Sequence, residues 1–202
     1  YTLWHTLSLH DALPISPLPG SPLVFGSPTA NARITITNPV RLEGGEREFN
    51  IIDNPNSSAD ITEFQGVISS GSGSVRKTGD GTLLPSNANT YGGGTTVAEG
   101  TLRVSNTLGS GTGTGAVTVN AGAVLGGNGS ISGATTIQDG GIIAPGSSPS
   151  QLTVNDLTLE SGSLARMEIW DTGSAGVDYD QLGVTSLLAE SGWITKAGLL
   201  PA

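Results

Sequence analysis

Three similar stretches decide the fold of this chain: residues 95–104 read TTVAEGTLRV, residues 117–126 read VTVNAGAVLG, and residues 135–144 read TTIQDGGIIA. In each stretch an apolar residue is followed three positions later by Gly and five positions later by another apolar residue, as in Val97, Gly100 and Leu102. β-Branched residues favour short strands, and the glycine supplies the positive φ that a tight corner needs. Each copy is therefore predicted to form a strand, a corner and a second strand.

The spacing of the copies predicts a solenoid. The interval is 22 residues from Val97 to Val119 and 18 residues from Val119 to Ile137. No copy can bury its own apolar face, whereas stacked copies bury it jointly. We predict a fourth copy after a further 17 residues, with Leu157 where the glycine was. The alignment predicts two internal columns, one of Val97, Val119, Ile137 and Val154 and one of Leu102, Val124, Ile142 and Leu159.

Composition excludes several classes of protein. The net charge is −9, but only 12% of the residues are charged, which is too few for a disordered acidic tail. Eight Lys and Arg residues against 17 Asp and Glu argue against nucleic acid as a partner. There is no cysteine for a disulfide framework, and no apolar run has transmembrane length, so we expect no membrane insertion by this fragment.

The first residues are predicted to be foreign to the protein. Residues 6–16, TLSLHDALPIS, are identical to one translated frame of a common short-read sequencing adapter. We therefore interpret residues 1–16 as an unstructured artefact of sequence assembly and exclude them from the fold. Both histidines, His5 and His10, lie inside this segment, so the native part has neither His nor Cys.

A longer ordered motif surrounds the first copy. It reads KTGDGTL at 77–83, NTY at 89–91, GGTTV at 93–97 and GTL at 100–102. This set resembles the autotransporter-associated β-strand repeat of large bacterial surface proteins. The resemblance implies a right-handed parallel β-helix in an exported passenger region. With the repeat pattern, it leads us to predict an all-β fold, a right-handed parallel β-helix (β-solenoid), present as a fragment.

The organisation along the chain follows from these patterns. We expect the export signal to lie outside these 202 residues. The predicted segments are 1–16, the adapter-derived sequence; 17–60, the first irregular rungs; 61–169, the repeat β-helix; 170–188, a further rung; and 189–202, an irregular or misassembled end.

Two polar clusters suggest metal binding only weakly. Asp178 and Asp180 offer oxygen ligands of the kind calcium prefers, but the EF-hand loop needs more carboxylates and a final Glu. We interpret this segment as a turn between rungs, and we interpret residues 53–58 (DNPNSS) in the same way. The glycine-rich residues 109–115 lack the Lys-Ser/Thr ending of a phosphate-binding loop, and they are predicted to be a flexible loop between rungs.

No catalytic site is predicted. Glu99 and Asp139 occupy equivalent corner positions, and a pair of carboxylates can hydrolyse glycosidic bonds. Solvated polar residues at corners are the simpler interpretation, and the lysines are only Lys77 and Lys196. We assign no catalytic, cofactor-binding or metal-binding residue, and no cofactor.

The predicted function is structural. We expect a non-catalytic scaffold for structure and display in a secreted or cell-surface, outer-membrane-associated bacterial protein of the autotransporter type, with adhesion as a further role. The expected partners are host or environmental surface glycans, or other copies of the chain. The alternative is a carbohydrate-active β-helix enzyme, a polysaccharide lyase or hydrolase, which a groove lined by carboxylates with Lys or Arg would favour.

Overall fold

The computed structural model describes residues 5–7, 14–15, 20–146, 150–168, 174 and 179–189, and every regular element within these ranges is a β-strand. The strands are β1 His5–Leu7, β2 Leu23–Gly26, β3 Ile34–Ile36, β4 Val40–Arg41, β5 Glu46–Ile52, β6 Thr62–Phe64, β7 Ile68–Ser69, β8 Ser74–Thr78, β9 Thr82–Pro85, β10 Thr95–Val97, β11 Thr101–Val104, β12 Val117–Val119, β13 Val124–Gly127, β14 Ser130–Ile131, β15 Thr135–Ile137, β16 Ile142–Pro145, β17 Gln151–Leu159, β18 Leu164–Ala165 and β19 Gln181–Ala189.

Successive turns of the chain add one strand to each of two long parallel sheets. Sheet I has the order β1-β3-β6-β9-β11-β13-β16-β18, and sheet II has the order β14-β17-β15-β12-β10-β8-β5-β2, with β19 paired to β17. A third side is formed by β4 with β7 and by β14 with the first half of β17. The prediction of an all-β parallel β-helix is confirmed, and its right hand stays a prediction.

The first predicted column is correct for three of its four members. Val97, Val119 and Ile137 are in register in sheet II and fully buried. The fourth member is Leu159, which pairs with Ile137, so the prediction of Val154 was wrong. Strand β17 is long enough to cover two sides of the rung, and its first half, which contains Val154, pairs with β14 on the third side.

The second predicted column was wrong by one residue. Leu102 pairs with Leu125, and Leu125 pairs with Ile143; these three side chains are buried. Val124 and Ile142 therefore point outward and are only partly buried. The corner between Val97 and the next strand contains three residues, whereas the corners after Val119 and Ile137 contain four. Because side chains alternate along a strand, this one-residue difference exchanges the two faces.

The corner glycine of the first copy is required by its surroundings. Gly100 has a φ of 62°, as the sequence predicts. A Cβ atom at this position would lie 2.4 Å from the carbonyl oxygen of Gly79 in the rung below. Stacked corners thus approach each other more closely than any side chain at position 100 allows.

Aromatic rings fill the N-terminal rungs. Phe49 stacks on Phe64 with ring centroids 5.2 Å apart, and Phe25 meets Phe64 edge to face at 5.5 Å. Phe49 and Phe64 are almost completely buried. These rings occupy the interior space that aliphatic side chains fill in the later rungs, so the N-terminal rungs have a core of different composition.

The N-terminal segment differs from the prediction that residues 1–16 are unstructured. Strand β1 pairs in parallel with β3, His5 opposite Ile34, and Ile15 forms an isolated bridge with Val40. The end strand of a solenoid has a row of unpaired backbone groups, and any extended segment can pair with it whatever its origin. The foreign origin of residues 1–16 therefore remains a prediction.

Candidate functional site

Lys77, the first residue of the long motif, points into the interior. It is in register with Val97 at the base of the first column, and its side chain is 0% exposed. Its ammonium group donates hydrogen bonds to the carbonyl oxygens of Thr78, at 3.1 Å, and of Gly79. An amine in this position holds the corner of its own rung and is closed to any substrate.

Burial also changes the acidity of this lysine. Loss of hydration lowers the pKa of Lys77 to about 8, although the negative charges of Asp80, Glu99 and Asp53 oppose the shift. A lysine with a lowered pKa is a feature of some catalytic sites, where it acts as a base or a nucleophile. Here the amine has no exposed surface, so its lowered pKa reflects its place in the core.

Asn89, the first residue of the motif's second segment, joins three rungs. Its side-chain oxygen accepts a hydrogen bond of 2.7 Å from the backbone N–H of Ile68 in the rung below. Its side-chain amide donates one of 2.6 Å to the carbonyl oxygen of Gly111 in the rung above. The side chain is 5% exposed, so it replaces backbone pairing where the third side lacks a regular strand.

Tyr91 completes the internal polar set. Its hydroxyl group lies 2.7 Å from the hydroxyl oxygen of Thr95, and both side chains are buried. Burial raises the pKa of Tyr91 well above its usual value, and the bond to Thr95 only partly offsets this. Lys77, Asn89 and Tyr91 of the motif therefore hydrogen-bond within the protein and form no open site.

The structure places the two corner carboxylates on exposed corners two rungs apart. Ala121 lies at the intervening corner, between Glu99 and Asp139. A side-chain oxygen of Glu99 accepts a 2.8 Å hydrogen bond from the N–H of Gly79. The N–H of Asp139 donates to Glu160 at 3.3 Å. Both acidic corners therefore take part in contacts between rungs, and Lys77 does not face them from an open groove. Lys196 lies outside the described residues.

Asp180 binds backbone groups. One of its side-chain oxygens accepts from the N–H of Ser150 at 3.0 Å, and the other accepts from the N–H of Glu168 at 2.8 Å. The residue is 5% exposed. With both oxygens occupied, it clamps the segments before β17 and after β18, which supports the interpretation as a turn. Asp178 lies outside the described residues.

The cluster at 53–58 is a hydrogen-bonded turn. The N–H of Asn54 donates to Asp60 at 2.6 Å, and the side-chain oxygen of Asn54 accepts from the N–H of Asn56 at 3.1 Å. Partial burial, followed by the charges of Asp60 and Asp80, raises the pKa of Asp53. No group of three or more His, Cys, Asp or Glu side chains able to hold a metal ion occurs in the part of the chain that the structure describes.

The glycine-rich residues 109–115 pack into the third side. Ser110 is 5% exposed and Thr112 is 0% exposed. The carbonyl oxygen of Ser110 accepts from the N–H of Asn89 at 2.8 Å, and the N–H of Gly111 donates to Ser130 at 2.9 Å. The glycines allow this close stacking, and no phosphate-binding loop forms here.

One surface feature, which we call the third-side groove, is not predicted by any sequence pattern. It is an open depression of about 500 Å³ on three successive rungs. The described residues that line it are Ser105, Asn106, Thr107, Asn128, Gly129, Ser130, Ser150, Gln151 and Thr153. Polar residues at turns are common, so the sequence alone could not distinguish this cluster from ordinary loop composition.

Comparison with known proteins identifies the repeat. Residues 75–104 match the family described as passenger-associated-transport-repeat, and this range contains Lys77, Asn89 and Tyr91. The chain is also 40% identical over 122 residues, 60% of its length, to a protein named adhesin BmaC autotransporter from Brucella suis biovar 1 (strain 1330). The match spans only 3% of that relative. No solved structure matches the chain.

These findings confirm the predicted resemblance to autotransporter passenger repeats. They also confirm the predicted location, outside the cell or at the outer-membrane-associated cell surface. Among the described residues, no helix has the length and apolar character to cross a bilayer.

Proposed function

We propose that this chain is a non-catalytic scaffold that extends and displays the surface of a bacterial autotransporter-like protein, with adhesion as a further role. The observation that carries the proposal is the inward position of three polar residues of the motif. Lys77, Asn89 and Tyr91 are the polar residues most suggestive of chemistry, and all three hydrogen-bond within the stack of rungs. A repeat whose distinctive residues hold rungs together is suited to building length.

The adhesive part of the proposal rests on the relative, which is named an adhesin. A solenoid presents the same outward positions at a spacing of about 4.8 Å from one rung to the next. Such a surface offers many equivalent weak contacts, and their combination gives strong attachment without a deep pocket. Host or environmental glycans and other copies of the chain are the proposed partners.

The enzyme alternative receives little support from the described residues. Catalysis by carboxylates needs two of them facing one substrate. Glu99 and Asp139 are two rungs apart, and each corner takes part in a hydrogen bond between rungs. Lys77 does not face them from a groove, because it is buried.

A turnover screen tests the non-catalytic part. The full chain is incubated with a panel of neutral and acidic polysaccharides, and new reducing ends and unsaturated products are measured. We expect no product above the blank. Reproducible turnover that disappears in Glu99→Gln or Asp139→Asn, but persists in the corner variant Gln138→Ala, would establish the enzyme alternative.

A further inference from the structure

The third-side groove has a fixed floor. Asn106, which is 3% exposed, donates hydrogen bonds to the carbonyl oxygens of Leu108 at 3.2 Å and Gly109 at 3.1 Å. Its side-chain oxygen accepts a bond of 3.1 Å from the N–H of Ser130 in the next rung. A Cβ atom on Gly129 would lie 2.3 Å from this oxygen. Asn106 thus holds the backbone of its own rung and the backbone at Ser130 together at the base of the groove, and no ligand is needed for this.

The walls carry polar side chains that the protein itself does not use. Thr107, Asn128, Gln151 and Thr153 are exposed, and none of them has a side-chain hydrogen bond to another described residue. They come from three successive rungs and line one depression. Hydroxyl and amide groups both donate and accept hydrogen bonds, so the groove offers both functions along its length.

The chemistry of the lining selects one class of ligand. None of the described lining residues is charged, so the groove lacks the Lys and Arg that bind phosphate or carboxylate. Apolar side chains, which line most pockets for drug-like ligands, are also lacking among them. Sugar hydroxyl groups both donate and accept, as these side chains do. We propose that the third-side groove binds a neutral oligosaccharide, an inference that rests on the proposed adhesive scaffold and gives it a site.

The groove's dimensions agree with a short saccharide. Its volume of about 500 Å³ lies within the usual range of ligand sites, about 300–1,000 Å³. Three rungs span about 10 Å along the solenoid axis. The described residues that line it include no aromatic ring for stacking against a sugar, so each groove binds weakly and attachment depends on many copies at one surface.

Saturation-transfer NMR with the full chain tests the groove directly. The probes are maltotetraose, cellotetraose, lactose and tri-N-acetylchitotriose, with a sulfated heparin oligosaccharide as the charged comparison. The double variant Asn128→Ala/Thr153→Val removes two free polar groups. The matched control is Thr136→Val, which alters an outward threonine of sheet II away from the groove. Gln151→Ala is a second groove variant, to be used if the double variant does not fold.

We expect at least one neutral probe to bind, with affinity reduced about tenfold in the groove variant and unchanged in Thr136→Val. Binding of the heparin probe alone, equal binding by groove variant and parent, or no binding at all would overturn the inference. If no probe binds while the chain melts cooperatively and the turnover screen is blank, only the groove inference fails, and the scaffold proposal stands.

Discussion

The rung that carries the motif and the rungs that follow it are built from different interiors. In the motif rung, residues 75–94, Lys77 and Tyr91 occupy inward positions, and the hydroxyl group of Tyr91 lies 2.7 Å from that of Thr95 at the start of the next rung. In the aliphatic rungs, residues 117–145, the same column of sheet II holds Val119 and Ile137. Both kinds of rung stack in the same parallel register, so the polar residues are not needed for the coil itself.

The difference shows where the hydrogen bonds of the third side come from. The aliphatic rungs follow a regular path, with β14 pairing to β17. The motif rung has no regular strand on this side, and Asn89 satisfies the backbone of its two neighbours. The recognisable residues therefore mark a place where the backbone needs side-chain partners, and four predictions test this comparison.

The largest effect is expected in an aliphatic rung. Val119→Asp puts a charge without a partner into the fully buried column, and we expect a loss of about 3–5 kcal/mol in the free energy of unfolding. The neighbouring change Thr118→Asp places the same charge on the outward face and is expected to cost less than about 1 kcal/mol. Chemical denaturation measures both. Equal losses would show that the register of β12 is wrong.

The next effect is specific to the motif rung and depends on pH. The folded pKa of Lys77, about 8, lies below the unfolded value of 10.5. Above pH 8 the unfolded chain therefore holds more protons, so stability rises with pH, by about 2 kcal/mol up to about pH 9.5. Below pH 8 the cost of burying the charge is fully present. Lys77→Met should remove this rise, which chemical denaturation at several pH values measures. If the free energy of unfolding of the parent chain changed with pH no more than that of the variant, the buried position of Lys77 would be contradicted.

A smaller effect is expected at the buried hydroxyl pair. Thr95 is in register with Val117 of the next rung, so Thr95→Val places the residue of that rung at this position. It leaves the buried hydroxyl of Tyr91 without its partner and should cost about 1–2 kcal/mol. Adding Tyr91→Phe should restore most of the loss, because both polar groups are then gone. A double-mutant cycle with no coupling between the two positions would contradict the bond.

The smallest effect is expected at the N-terminal edge. Removal of residues 1–16 deletes β1, a three-residue strand at the end of sheet I. We expect the free energy of unfolding to change by less than about 1 kcal/mol, because the described part of the segment contributes only a three-residue strand and one isolated bridge, Ile15 to Val40, at the end of the stack. Native sequencing of the locus should also lack the adapter string. A loss comparable to that of Val119→Asp would show that the segment is a genuine cap.

Much of the fold could be predicted from the sequence, because β-branched residues around a recurring glycine encode both the strands and the corners. The second column could not be placed by spacing alone. The corner after Val97 is one residue shorter than the corner after Val119, and spacing does not reveal corner length. The correct register aligns Thr101 with Val124, two outward residues at the start of their strands. Because one is polar and the other apolar, the sequence pattern does not reveal that they are equivalent.

The candidate site was less predictable for a physical reason. An inward lysine breaks the rule that charged residues lie on the surface, and its carbonyl partners are supplied by the folded corner. The third-side groove gathers Asn128 and Thr153 from different rungs. Such a cluster exists only after the rungs stack, so no local sequence pattern predicts it.

The most direct test of the account is the reactivity of the Lys77 amine. The full chain is treated with an acetylating reagent at about pH 8.5, and modification at position 77 is followed by peptide mass spectrometry, with and without denaturant. A buried amine that donates to the carbonyl oxygens of Thr78 and Gly79 should resist labelling until the chain unfolds, and should then react fully. Rapid labelling of Lys77 in the native chain would place the motif lysine at an open surface and contradict the scaffold interpretation.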